Sequence, residues 1–194
     1  MKILEYYNKN ANEYIQSTIN LDMENLYTPF FKNLSLDAYI LDLGCGSGRD
    51  TLAFKSNGYQ VDALDYSTEL VKKASELTGI KVRYQSFYDL SDVEKYDGIW
   101  ACASLLHCDR DKLPDVLTRI HQALRINGVC YMSFKNGNTD REKDGRKFTD
   151  LNESQVSKLL IQLDHCELLQ LWITTDKRKD HDESWLNILF QKTN

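Results

Sequence analysis

The stretch Ile40-Leu41-Asp42-Leu43-Gly44-Cys45-Gly46-Ser47-Gly48-Arg49-Asp50 decides how this sequence is read. An apolar run enters three glycines at alternate positions, and Arg49 opens a segment of helical character that ends before Gly58. Strand, glycine turn and helix in that order suit a nucleotide-like ligand. Glycine takes positive φ without strain and lets backbone approach a ligand closely. Asp65 lies 21 positions past Gly44, at the end of the next apolar run, where a carboxylate can grip ribose hydroxyls. A ligand-free tight turn is the alternative reading of the glycines alone; the strand before, the helix after and Asp65 together argue against it.

The turn does not suit a dinucleotide. A G-x-G-x-x-G pattern would need its third glycine at position 49 or 51, which are Arg49 and Thr51, so the close helix packing that seats a pyrophosphate is not encoded. No G-K-[S/T] follows, which excludes a P-loop. Asp42, two residues before Gly44, adds a carboxylate that fits a cationic cofactor better than a phosphate.

Outward from the turn, short apolar runs alternate with amphipathic ones, the pattern of βαβ units around a mainly parallel sheet. Strands are predicted at 38–44, 59–65, 81–85, 96–103 and 128–134. Helices are predicted at 49–57, from an N-cap at Ser67 to Gly79, and from about Asp111 to a stop at Asn127 and Gly128. The charged residues after Asn136-Gly137-Asn138 predict a long mobile loop. Residues 152–163 have helical spacing. Runs 166–175 and 184–191 predict an antiparallel pair joined by the polar stretch 176–183. Ahead of the sheet, 4–19 and 23–34 read as two helices over one sheet edge, candidates for a lid.

The chain's 194 residues suit one domain, here a helical lid (1–35) on a core (36–194). Five scattered cysteines without a C-x-x-C pair argue against disulfides and zinc, so no metal site is expected and reduced cytoplasmic thiols are the simplest account. The formal charge of -5 gives no global attraction to polyanions, and nucleic acid is not an expected partner. Charged residues interrupt the opening 14, unlike a signal peptide, and no apolar run approaches the roughly 20 residues of a membrane span. A cytoplasmic, soluble protein is expected.

With ILDLGCGSGRD, the segments VDALDYS (61–67) and YDGIWACASLLH (96–107) resemble the successive motifs of class I S-adenosylmethionine-dependent methyltransferases. The opening YYNKNANEYIQST (6–18), ASLLH (103–107), SFKNG (133–137), REKDGRKFTDL (141–151) and WLNILF (185–190) are similar to small bacterial TehB-like, tellurite-resistance-related members. The resemblance implies a doubly wound, Rossmann-like α/β sheet, mainly parallel with an antiparallel C-terminal strand and helices on both faces. It implies S-adenosylmethionine as cofactor, with S-adenosylhomocysteine as product. By the same resemblance Gly44, Cys45 and Gly46 line the methionine and ribose portion, with Asp42 oriented toward them. Asp65 binds the ribose diol and Tyr66 packs beside the adenine. One of Phe87, Tyr88 and Asp89 makes the polar adenine contact; many relatives carry a Gly-Asp pair there, and this chain reads SFYDL. Ala101 and Cys102 pass the methionine amino group and sulfonium, and Tyr14 and Arg49 close on the carboxylate. For Tyr14, helix packing is the alternative.

A sulfonium is an activated methyl donor, so the protein's task is alignment in a dry site. His107, after the fourth strand, is the candidate general base where the acceptor must lose a proton; capping or packing against the following helix is the alternative. His121 reads as helix packing, while His165 and His181 have no catalytic context. Cys102 and Cys108 read as inert small hydrophobes before nucleophiles. Lys143, Arg146 and Lys147 lie on the charged stretch, and by resemblance Arg146 is the candidate substrate contact. The expected function is methylation of a small molecule, a chalcogen compound among the candidates. Alternatives are methylation of protein or nucleic acid, and cofactor binding without catalysis. Against nucleic acid, no N-P-P-[Y/F] segment follows the fourth strand.

Overall fold

The computed structural model describes residues 2–178 and 182–194. Three helices, α1 (Lys2–Lys9), α2 (Ala11–Thr18) and α3 (Glu24–Phe31), precede β1 (Tyr39–Leu43), α4 (Arg49–Ser56), β2 (Gln60–Asp65), α5 (Thr68–Thr78) and β3 (Arg83–Tyr84). Then follow β4 (Tyr96–Ala101), α6 (Leu113–Ala123), β5 (Leu124–Lys135), β6 (Asp140–Lys143), β7 (Arg146–Thr149), α7 (Glu153–Leu160), β8 (Cys166–Thr175) and β9 (Ser184–Lys192). Seven strands form one sheet in the order β3-β2-β1-β4-β5-β9-β8. From β3 to β5 all neighbours are parallel, whereas β9 runs antiparallel to both β5 and β8. This is the doubly wound, mainly parallel sheet with an antiparallel C-terminal strand that the pattern predicts.

Side-chain alternation along β1 explains why it reads as a nearly continuous apolar run. Ile40 packs in a layer with Trp100, Tyr131, Phe54 and Phe30, while Leu41 and Leu43 join Ile99 and the α6 residues Leu113, Val116, Leu117 and Ile120 in another cluster. Each such side chain contributes about 1.5–3 kcal/mol on burial. Local chemistry sets the helix ends. Ser67 accepts from the Leu70 N–H at 3.3 Å, and Gly79, at φ 69°, closes α5. Asn152 and Gln155 form a reciprocal capping box that starts α7.

Three expectations are corrected. Helix α6 ends at Ala123, not at Asn127 and Gly128, which instead occupy a bulge where the β4–β5 register passes from Tyr96↔Leu124 to Gly98↔Val129. A Cβ at Gly128 would meet three backbone oxygens at 2.9–3.2 Å, so only glycine fits that bulge. The charged stretch expected as an open loop contains the hairpin β6–β7. Asp144 (φ 54°) and Gly145 (φ 73°) turn it, the Asp-Gly chemistry of a two-residue hairpin loop. The N-terminal helices lie over a sheet face and not over an edge alone, the edges being β3 and β8. Helix α3 packs through Tyr27 and Phe30 against Trp100 in a cluster that also takes in Leu169 and Trp172 of β8, and α1 lies against α5 and β7.

Candidate active site

The strand order reverses between β1 and β4, and the cleft beyond their carboxyl ends is the ligand position of open α/β sheets. Gly44 leaves β1 at φ 78°, and a Cβ there would stand 2.5 Å from the Ser104 Cβ. Ala103, after β4, is a non-glycine residue at φ 51°, held by its N–H donating to Ser133 Oγ at 2.8 Å. Strained backbone of this kind clusters at functional sites. At the end of β2 the two Asp65 oxygens accept from the N–H groups of Gly46 (2.9 Å) and Ser67 (2.8 Å). Burial outweighs these bonds and raises the carboxyl above its usual range.

A cavity of about 690 Å³ lies over this turn, lined by Gly44, Gly46, Asp65, Tyr66, Phe87, Tyr88 and Asp89. Half-exposed Tyr66 stacks on Tyr84 with ring centres 5.2 Å apart. Tyr88 Oη accepts from the Asp109 N–H at 2.9 Å. The Ser104 side chain also lines this cavity, and its Oγ is buried without a hydrogen-bond partner among the described residues.

A second cavity, of about 200 Å³, shares Tyr7, Tyr14, Ala103 and His107 with the first. Its walls include Leu21, Met23, Leu26, Tyr131, Phe148 and Trp185. Lys135 Nζ, buried at the end of β5, pairs with Asp176 (3.0 Å) and Glu183 (2.6 Å) and sits 3.8 Å from the centre of the Trp185 ring. Arg146 lies over the rings of Tyr6 (4.1 Å) and Phe148 (5.2 Å), and its Nε is buried without a partner among the described residues. Among the described residues, the cationic lining residues Arg49, Lys135, Lys143, Arg146, Lys177 and Arg178 outnumber the acids Asp176 and Glu183.

Both ring nitrogens of His107 are engaged. Nδ1 lies 2.9 Å from the Lys147 carbonyl and Nε2 lies 2.8 Å from Tyr7 Oη. Burial lowers the imidazole to about 4, Arg146 adding to the effect and the Lys147 bond opposing it. Burial likewise raises the Tyr7 phenol to about 12 against the pull of Arg146.

The other anticipated residues divide. Tyr14 and Cys102 line the smaller cavity, Tyr14 also the larger. Burial pushes the Cys102 thiol up to about 12, so it is no thiolate at neutral pH. Arg49 reaches the smaller cavity, yet its guanidinium grips Asp50 through Nε (2.6 Å) and Nη2 (2.8 Å). Asp50 also accepts from Tyr27 Oη (2.5 Å) and Trp100 Nε1 (2.8 Å). Although buried, it is held below the usual carboxylate range, chiefly by Arg49. Asp42, Cys45 and Ala101 line neither cavity. Asp42 is buried against Thr51 Oγ1 (2.5 Å), and burial with the nearby Asp50 charge raises its carboxyl well above the usual range. Cys45 packs against Ala63, Ala74 and Val82, and Ala101 is fully buried in β4. His121 meets the His165 carbonyl at 3.3 Å, remote from both cavities, and His181 lies outside the described residues.

Sequence reasoning missed Tyr7, Ser104, Lys135, Asp176 and Trp185. The one signal for Tyr7 was its seven-residue separation from Tyr14, which places their rings 5.3 Å apart although the helix breaks between them. Lys135, a cation directly after the apolar strand GVCYMSF, was the comparable signal for the second cavity.

Residues 40–128 match the family model described as a methyltransferase domain. An uncharacterized methyltransferase of Staphylococcus carnosus is 27% identical over 137 residues, covering 66% of this chain and 65% of that protein. A probable S-adenosyl-L-methionine-dependent methyltransferase TehB of Haemophilus influenzae is 25% identical over 95 residues, 46% of this chain and 33% of the relative. The match thus spans less than two thirds of either relative's length. Among solved structures, the Burkholderia thailandensis 1,6-didemethyltoxoflavin-N1-methyltransferase superposes with a TM-score of 0.81 at 22% identity, over 100% of this chain and 88% of that one. The glycine turn at the switch point of the sheet falls inside the matched region, so the segment that carries the turn is similar to methyltransferase domains and the fold is that of the Burkholderia enzyme.

Proposed function

We propose that this protein transfers the methyl group of S-adenosylmethionine to a small organic anion. The observation that carries the reading is the pair of cavities meeting at Tyr7, Tyr14, Ala103 and His107. A donor over the glycine turn and an acceptor in the smaller cavity would face one another there, and alignment of that kind supplies about 7–11 kcal/mol of a barrier.

The larger cavity fits the cofactor. Gly44 and Gly46 line its floor, where a Cβ would collide with Ser104 and Tyr14, and the unpartnered Ser104 Oγ offers a hydrogen bond at its wall. Asp65 would hold the ribose hydroxyls, with Tyr66 and one of Phe87, Tyr88 and Asp89 at the adenine. Tyr14 would cover the turn. When bound, the cofactor supplies an activated methyl group. Asp42, Cys45 and Ala101 support the turn and sheet from behind and act without touching the ligand. Arg49, neutralised by Asp50, orders the wall between α2 and the turn, its Nη1 donating to the Thr18 carbonyl at 3.3 Å.

The acceptor class follows from the second cavity. Its aromatic and aliphatic walls favour an organic body, while the excess of lining cations favours negative charge, with Arg146 as the preferred contact. A chalcogen oxyanion satisfies the charge but leaves the apolar walls unused. The Burkholderia structure, with 1,6-didemethyltoxoflavin and S-adenosylhomocysteine bound, supports a small-molecule acceptor. Protein or nucleic acid is disfavoured by the size of the cavity, about 200 Å³.

Calorimetry with S-adenosylmethionine and S-adenosylhomocysteine, followed by a product-release assay over aromatic carboxylates, heteroaromatic anions, tellurite, selenite, protein and RNA, tests this reading. Micromolar cofactor binding and turnover confined to organic anions are expected. Turnover of tellurite alone would move the acceptor to the chalcogen class, and no cofactor binding would remove the reading.

A further inference from the structure

We propose that Tyr7 is the specificity-determining contact for the methyl acceptor, recognising a hydrogen carried on the atom to be methylated, and that His107 is a positioning residue acting through it. This inference rests on the methyl-transfer reading above and names a feature of its substrate.

The polarity of the Tyr7–His107 pair is fixed by its surroundings. The Lys147 carbonyl can only accept, so His107 Nδ1, 2.9 Å away, carries the ring hydrogen. The buried ring is held neutral, which leaves Nε2 as a bare acceptor. Tyr7 Oη, 2.8 Å from Nε2, therefore donates its only hydrogen to His107. What Tyr7 retains for the place where the cavities meet is lone-pair density. Arg146 acts on that oxygen by charge and by a hydrogen bond, so a ligand donor at Tyr7 Oη uses the lone-pair density that Arg146 leaves open.

The pair is also rigid. The Tyr7 ring makes edge contacts with Tyr6 (5.4 Å), Tyr14 (5.3 Å) and His107 (5.6 Å between ring centres), so the hydroxyl cannot swing to present its hydrogen to a ligand without losing the bond to His107. A ligand atom that touches Tyr7 Oη must then donate. An N–H or O–H acceptor atom meets that demand and is oriented by it; a thiolate or a chalcogen oxyanion brings a second acceptor and is repelled.

The first test needs no acceptor. Nitrogen NMR of protein labelled at histidine and saturated with S-adenosylhomocysteine should show His107 as the Nδ1–H tautomer at neutral pH, and Tyr7→Phe should shift the resonance of the bare Nε2. An Nε2–H tautomer or an imidazolium overturns the inference. The second test uses para-hydroxybenzoate and para-mercaptobenzoate, matched organic anions that present an O–H and a thiolate at the same place. Tyr7→Phe should lower kcat/KM about tenfold or more for the hydroxy probe and raise it for the thiolate probe, whose repulsion by the Tyr7 oxygen is then removed. His107→Ala added to Tyr7→Phe should leave the ratio of kcat/KM between the two probes where Tyr7→Phe alone puts it, since His107 discriminates only through Tyr7. Equal losses on both probes, or a ratio that the added His107→Ala moves further, overturn it. Wild-type binding of S-adenosylhomocysteine is measured first: its absence defeats the methyl-transfer reading itself, whereas these outcomes with binding intact defeat only the role of Tyr7.

Discussion

The hydroxyl oxygen of Tyr14 lies 2.9 Å from where a Cβ on Gly46 would stand, so a ring of α2 rests directly on the backbone of the glycine turn. Helix and turn are shaped to one another, and that fit gives a direct handle on the cofactor cavity.

Gly46→Ala should therefore act twice. It places a side chain at φ 55°, costing about 1–2 kcal/mol, and pushes Tyr14 outward. A fall in Tm of roughly 3–6 °C is expected, with a loss of about tenfold or more in S-adenosylhomocysteine affinity by calorimetry. Adding Tyr14→Ala should restore part of the stability. Unchanged binding would separate Tyr14 and the turn from the cofactor.

His107 makes stability depend on pH in a known direction. Its folded value of about 4 lies below the ordinary 6.5 of histidine, so between these values the unfolded chain takes up a proton that the folded chain refuses. The contribution is complete above 6.5 and is lost as pH falls toward 4, amounting to about 3 kcal/mol. Urea unfolding across this window should show His107→Asn with a flatter profile than wild type.

Asp42 works in the opposite sense. Its carboxyl is raised in the folded state, so its contribution is present below the ordinary 3.8 of aspartate and lost as pH rises through the folded value. Asp42→Asn keeps an acceptor for Thr51 and never ionises. Thermal melts should show the variant gaining on wild type as the medium becomes alkaline, by about 1 kcal/mol or more.

Lys135 pairs with two acids in the wall of the smaller cavity, with its own side chain 5% exposed and that of Asp176 4%. Lys135→Met leaves Asp176 to Arg178 and Glu183 to Arg141, and loss of the shared buried cation costs about 1–3 kcal/mol. Denaturant titration checks the value. The triple variant with Asp176→Asn and Glu183→Gln should recover much of the loss.

Those features of the fold fixed by neighbours in sequence were legible: the glycine turn, Asp65 at the end of β2, the Ser67 cap and the Gly79 stop all depend on a few adjacent residues. Asn127-Gly128 misled because it has the chemistry of a helix stop. The helix had already ended, since Leu124 pairs with Tyr96 and tertiary pairing overrode the local signal. The hairpin at 140–149 was hidden because its strands alternate charges instead of apolar and polar residues; only Asp144-Gly145 announced it. Of the site, the larger cavity was readable because 44–46, 65–67 and 86–89 each follow a parallel strand. The smaller one was not. Tyr131 and Asn187 sit in apolar strands and read as core, yet they meet through Tyr131 Oη donating to Asn187 Oδ1 at 2.7 Å and line the same cavity.

Tyr7, Tyr14, Ala103 and His107 form a party wall, each facing both chambers. Tenants on either side of such a wall are thermodynamically linked: whatever factor one occupant imposes on its neighbour's dissociation constant, the neighbour returns in full. A single change among these four side chains then alters both affinities at once.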